Sequence, residues 1–320
     1  MATYKEIHGI KVQYRDSDAT AIEGDVWYNV TTSKLRMYAS LGAWASGGAV
    51  PVEMNSQAVG GIQTAAISAS GTTPGGDTVN VQQYDGSTWT EIANVNTGRN
   101  GIRGAGTTAA FVVWGGSNKT PPEGLLTEEY NGSSWTEVSG SLNTVRYNTA
   151  ATGTATAALA TGGNAHDPMS DANESYDGST WTELADLNTA RQSPASSGIT
   201  TAAICFGGGN PGSLDVSETW DNSSWTEGNN LNTARQYIMG TGTSVPGALA
   251  FGGRVPAGTA VTEQYDGSSW TEVADLSTAR GDSGGAGTQT AALCVSGQPP
   301  ATTAVEEWTI AASVETVAFD

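Results

Sequence analysis

Five arginines recur at nearly even intervals: Arg99, Arg146, Arg191, Arg235 and Arg280, with steps of 47, 45, 44 and 45 residues. A guanidinium is a planar fork of donors that grips a carboxylate or another small anion through two bonds. Gathered in one place, five of them would form a partial cationic ring in an acidic chain. The alternative is that each bonds main-chain carbonyls or a carboxylate in its own or the neighbouring repeat. Lys119, His166 and Arg254 join the candidates because they fall in variable loops rich in Pro, Gly and polar residues.

Catalytic groupings are sparse. The only histidines are His8 and His166, and no His/Cys/Asp set has metal-ligand spacing. No Ser-His-acid constellation can be assembled. Paired carboxylates such as Glu128 and Glu129 lie in a strand-like segment near an outer edge, where charge blocks edge-to-edge pairing. We therefore expect no catalytic residues, no metal and no cofactor. Cys205 and Cys294 are 89 residues apart on equivalent segments, and both read as small buried hydrophobes.

The elements that position these residues are set by a repeat. The stretch Tyr84-Asp85-Gly86-Ser87-Thr88-Trp89-Thr90-Glu91 returns at Tyr130 to Glu137, Tyr176 to Glu183, Trp220 to Glu227 and Tyr265 to Glu272. Its second aromatic falls at Trp89, Trp135, Trp181, Trp225 and Trp270. Aromatics at a fixed period are a buried payload and argue against disorder, despite 42 Gly and 14% charged residues. A second element, TAAFVVWGG at 108 and its variants at 64, 156, 201, 247 and 290, occurs six times.

Each repeat thus offers four strand-length segments separated by turn signals. Asp-Gly or Asn-Gly joins the third to the fourth and suits a two-residue type I′ turn. A four-stranded unit of this length, repeated radially, is a β-propeller blade. We expect a six-bladed propeller over 47–320 behind an N-terminal segment, 1–46, that contains a hairpin. A partial seventh blade from 24–46 is the less favoured count. Either residues 313–319 or the Trp44 segment would supply the last blade's outer strand. Strand alternation puts the variable loops after the second strand on the same face as the arginines, which makes that face the expected binding surface.

The diglycine closing the second segment, the Tyr of the third, the Trp of the fourth and the Arg opening the next repeat together resemble the kelch family. The resemblance covers roughly residues 40–310. Ser70-Gly71 and Ser296-Gly297 depart from the diglycine, and Trp308 stands at the Tyr position of the last repeat. In kelch substrate adaptors, arginines at this mouth contact acidic peptides, so the resemblance implies an intracellular acidic-peptide module as one reading. The whole chain also resembles bacteriophage structural proteins, in which a GDVWYN…KLRMY…GAW hairpin precedes YDGSSWTE repeats. That resemblance implies a non-enzymatic virion protein of tail-fibre or decoration type. It would be made in the host cytoplasm and joined to other virion proteins, as part of an oligomeric assembly, through its N-terminal segment. Its propeller face would bind a host-surface glycan or protein.

Net charge excludes other classes. With 32 Asp+Glu against 13 Lys+Arg the formal charge is −19, and affinity for nucleic acid comes chiefly from neutralised phosphates. We expect neither nucleic-acid binding nor membrane insertion, because no apolar run reaches spanning length.

Overall fold

In the computed structural model, the described residues are 13–17, 25–116, 123–165, 169–299 and 301–316. The chain divides into two compact units, Trp44–Trp308 and a smaller one made of Met1–Ala43 with Thr309–Asp320. The expected boundary at 46/47 thus moves to 43/44, and the C-terminal residues leave the larger unit.

The larger unit is all-β and β-propeller-like, with two short 3-10 turns among its described residues. Sheet one contains Ala58–Ile62, Ala65–Thr73, Gly76–Tyr84 and Trp89–Glu91 in that spatial order. Sheet two runs from Arg103–Gly106 through Phe111–Trp114 and Thr127–Tyr130 to Trp135–Val138. Sheets three, four and five repeat the pattern from inner strands Ala150–Thr154, Ala195–Ile199 and Met239–Thr241. Sheet six begins at Gly284–Gly287 and Ala291–Val295, with Val305–Thr316 third.

The strand beside Val305–Thr316 is Lys34–Ser46, so the N-terminal side supplies the outer strand of sheet six. The Gly47 amide donates to the Val305 carbonyl at 2.8 Å. Trp44 stacks edge-on against Phe251 (5.1 Å between ring centroids) and lies 5.5 Å from Trp308. This decides between the two expected closures: Trp44 occupies the tryptophan position of the sixth repeat.

The hydrophobic core lies between consecutive sheets rather than within any one. One cluster joins Ile67 and Val81 of sheet one to Phe111 and Trp135 of sheet two. Another joins Leu293 and Val305 of sheet six to Ala66 and Trp89 of sheet one. The repeated tryptophans wedge these seams. Trp181 Nε1 donates to Thr127 Oγ1 of the preceding sheet at 2.9 Å, and Trp44 Nε1 makes the equivalent bond to Thr262 Oγ1 at 3.0 Å. The inner strands touch one another in cyclic order, that of sheet six contacting that of sheet one.

The turn after the third strand differs from expectation. Gly86 has φ +94° but Ser87 is not left-handed, so the turn is not type I′. Instead the Asp85 carboxylate accepts from the Ser87 and Thr88 amides at 2.9 and 2.8 Å. Asn131 does the same with a neutral side chain.

In the smaller unit, Gln13–Arg15 pairs in parallel with Val26–Asn29, which forms the expected hairpin with Lys34–Met37. Arg15 pairs with Asp25 at 2.7 Å and lies over the Trp27 ring.

Candidate functional site

Each of the five repeated arginines is completely buried. Each leaves the connection between two sheets and reaches into the sheet that follows, where it pairs with the carboxylate at the second residue of the third strand. Arg99 Nη2 lies 2.9 Å from Glu128 Oε1, Arg146 Nη2 2.6 Å from Glu174, and Arg235 Nη2 2.8 Å from Glu263. Arg191 pairs with Glu218. Arg280 lies 2.9 Å from Glu306 without hydrogen-bond alignment, and its Nε donates to Cys294 Sγ at 3.3 Å.

In Arg99, Arg146, Arg191 and Arg235, Nη1 goes to main-chain carbonyls. Arg99 Nη1 donates to Gly115 and Leu126, and Arg146 Nη1 to Gly162 and Ala172. The other carboxylate oxygen holds the connecting loop: Glu128 Oε2 accepts from the Asn96 amide and side chain at 2.6 and 2.9 Å. Asn143, Asn188 and Asn232 repeat this on Glu174, Glu218 and Glu263. The diglycines serve the same latch. A side chain on Gly115 would meet the Arg146 carbonyl at 2.4 Å, so only glycine lets the next connection pass this close. Burial pulls the Arg146 and Arg235 pKa values down, and the charges of Glu174 and Glu263 partly restore them.

This geometry corrects the expectation of a cationic ring open at the channel mouth. The five arginines are joints between connection and sheet, and a ligand at the mouth meets none of them. The signal was present in the sequence: a Glu follows each Arg by 26 to 29 residues, at Glu128, Glu174, Glu218, Glu263 and Glu306. Lys119 and His166 lie outside the described residues. Arg254 is described and a quarter exposed; it pairs with Asp282 at 2.5 Å and lies over the Tyr237 ring.

The loops after the second strands do share a face with the inter-sheet connections. Isolated bridges tie them together at Asn55–Thr72, Tyr147–Asn164, Gln192–Gly209, Gln236–Arg254 and Gly281–Gln298. On this face five main-chain hydrogen bonds link six residues around the channel. The Ser56 amide donates to the Asp282 carbonyl, Gly101 to Ser56, Asn148 to Gly101, Ser193 to Asn148 and Asp282 to Tyr237, at 2.7–3.2 Å. All six ring residues are left-handed, with φ between 50° and 67°. On the opposite face the inner strands end around a funnel of about 220 Å³. It is lined by small residues such as Gly61, Gly106, Thr152 and Ser197. Among the described residues no group of three or more His, Cys, Asp or Glu is placed to hold a metal. Among the described residues no helix is long and apolar enough to cross a membrane.

Fold and site together define a β-propeller-like scaffold with a latched rim. Among solved structures, the chain is similar to that of YjhT, with a TM-score of 0.66, 15% identity, and coverage of 85% of this chain and 97% of that one. At that identity the likeness speaks for the fold alone. No family model matches the sequence, and no curated protein matches it.

Proposed function

We propose that the chain is a six-bladed, kelch-like propeller that acts by binding rather than catalysis. In this reading it is a bacteriophage structural protein of tail-fibre or decoration type, borne on the virion. Its loop-bearing face takes a host-surface glycan or protein, and its N-terminal unit joins other virion proteins. The observation that carries the reading is the division of labour on that face. The residues that recur in five of the six repeats are buried in latches, while the segments that vary between repeats project beside them. Residues 72–78, 209–213 and 254–259 differ in length and chemistry on one repeated frame. Variable loops on a rigid frame are where recognition is usually built.

The acidic-peptide alternative loses its carriers, because the arginines that it needs reach no solvent. The test is a binding screen of the purified chain against host cells and surface glycans. One variant replaces Arg254–Gly258 with the Gly209–Ser213 loop; a control alters the opposite-face turn Thr107–Ala110. Binding should fall with the loop exchange and survive the turn change. Binding that tracks the turn instead, or that is absent while turnover of a surface glycan is found, overturns the proposal.

A further inference from the structure

The inner strand of sheet two opens on Arg103, where the equivalent positions elsewhere hold Ala58, Ala150, Ala195, Met239 and Gly284. Arg103 is 9% exposed and, unlike the five latch arginines, forms no ion pair among the described residues. Its Nη1 donates only to the adjacent Ile102 carbonyl, at 2.9 Å. Burial pulls its pKa down to about 10, and the charge of Asp282 opposes that shift. One oxygen of Asp282 is engaged: its Oδ2 takes Arg254 Nη2 at 2.5 Å and Gln298 Nε2 at 3.4 Å, while its buried Oδ1 has no hydrogen-bond partner. Two guanidinium groups thus lie in the field of one carboxylate that is paired with only one of them, and one positive charge is left over in a desolvated place. An uncompensated buried charge is costly unless something pairs with it.

Arg103 lines a cavity of about 60 Å³ at the axis, enclosed by residues of all six inner strands and the positions just before them. Gln57, 1% exposed, lines it too; its Nε2 is used on the Val295 carbonyl at 3.0 Å, and its Oε1 has no partner. On the loop face the six linked left-handed residues surround the channel. On the other side the cavity shares Val59, Gly104, Ala151, Ser196, Gly240 and Gly285 with the funnel, which gives the way in.

We propose that this chamber is a small-anion site, in which a monovalent anion of chloride or formate size sits on the Arg103 guanidinium. A water beside the anion donates to Gln57 Oε1, which supplies that acceptor's missing partner. The volume admits a few waters or one small anion, and excludes a sugar or nucleotide. The site is independent of the loop-face reading above: it lies on the axis and opens to the opposite side.

The test compares thermal unfolding of the full chain in chloride, bromide, formate and gluconate at constant ionic strength, with anomalous diffraction from bromide-soaked crystals. A bromide peak beside Arg103 and a saturable rise in Tm with chloride or bromide, absent in gluconate, are expected. Arg103→Met should abolish both. A rise with formate but not with halide would narrow the ligand to a carboxylate head group. Where Arg103→Met fails to fold, the wild-type bromide map and a Gln57→Leu variant, which should weaken the saturable response, still decide. A map with only water in the chamber, or an equal Tm response in all four salts, overturns the proposal.

Discussion

Sheet one and sheets two to six solve the same joint in different ways. In the five later sheets a buried Arg pairs with a buried Glu. In sheet one the third-strand position is Gln82, and Met54, 45 residues before Arg99, stands where the Arg would be. Gln82 lies opposite Glu91 as Glu128 lies opposite Glu137, so the positions correspond by register. The Gln82 amide closes onto the connection by itself, accepting from the Val52 amide at 3.1 Å and donating to its carbonyl at 3.0 Å. Met54 fills the arginine's place at 2% exposure. Both members of the charged pair are absent together, and neither charge is left alone in the interior. What the joint requires is a side chain that bonds the connecting main chain, not a charge.

That comparison can be broken most directly at sheet five. Arg235→Met alone leaves Glu263 buried with its counter-charge gone, and should cost about 3–5 kcal/mol. Urea unfolding of the intact chain measures it. Adding Glu263→Gln imitates sheet one and should recover most of that loss, since exchange of both members of a buried pair is often close to neutral. A double variant no more stable than the single one would mean that the neutral joint works only in the setting of sheet one.

Much of the frame was legible because it repeats through large residues. Trp at a near-constant step and six copies of the second segment, five of them opening on TAA, required one sheet per repeat, and sheets one to six follow. The role of the arginines was harder to read. Their partners lie 26 to 29 residues further on, in the next repeat, where Glu128 and its equivalents look like ordinary charges beside an edge. The joint absence of an arginine and of that glutamate in the first repeat is the sequence feature that distinguishes a latch from a binding ring. The axis site was hidden for a different reason. Arg103 breaks the repeat, and only the ring's closure brings it together with Asp282, Arg254 and Gln57.

A smaller effect sharpens the comparison at the seam between sheets six and one, which lacks an Arg–Glu latch of its own. There Tyr84 Oη donates to Glu307 Oε1 at 2.5 Å, as Tyr176 does to Glu129 at 2.9 Å. Tyr84→Phe removes one hydrogen bond to a charged acceptor and should cost about 1–2 kcal/mol. Burial first, and then the Glu307 bond and charge, push the Tyr84 pKa up to about 12 from 10. A raised folded-state value means that the proton is held more tightly in the folded protein. The stability is therefore fully present below pH 10 and is lost as pH rises toward 12. The wild-type chain should lose stability across that window more steeply than Tyr84→Phe. Parallel alkaline limbs would remove Tyr84 from the seam's account.

The smallest expected effect uses a second neutral-for-charged exchange that the chain already contains. Asp85, Asp177 and Asp266 accept two amides each in their turns, and those bonds hold their carboxyls down at about 2. Asn131 makes the same two bonds with no titratable group. The sign for a depressed carboxyl is the reverse of that for Tyr84: its contribution is present above the unfolded value near 3.8 and fades as pH falls toward 2. Replacing the three aspartates with Asn should leave Tm nearly unchanged at pH 7, because the turn geometry is already served by an amide in sheet two. Between pH 4 and 2 the triple variant should lose less stability than the parent. If it is clearly less stable at neutral pH, the ionised carboxylate matters to the turn beyond its two bonds. The equivalence of charged and neutral joints, at the turns as in the latches, would then fail.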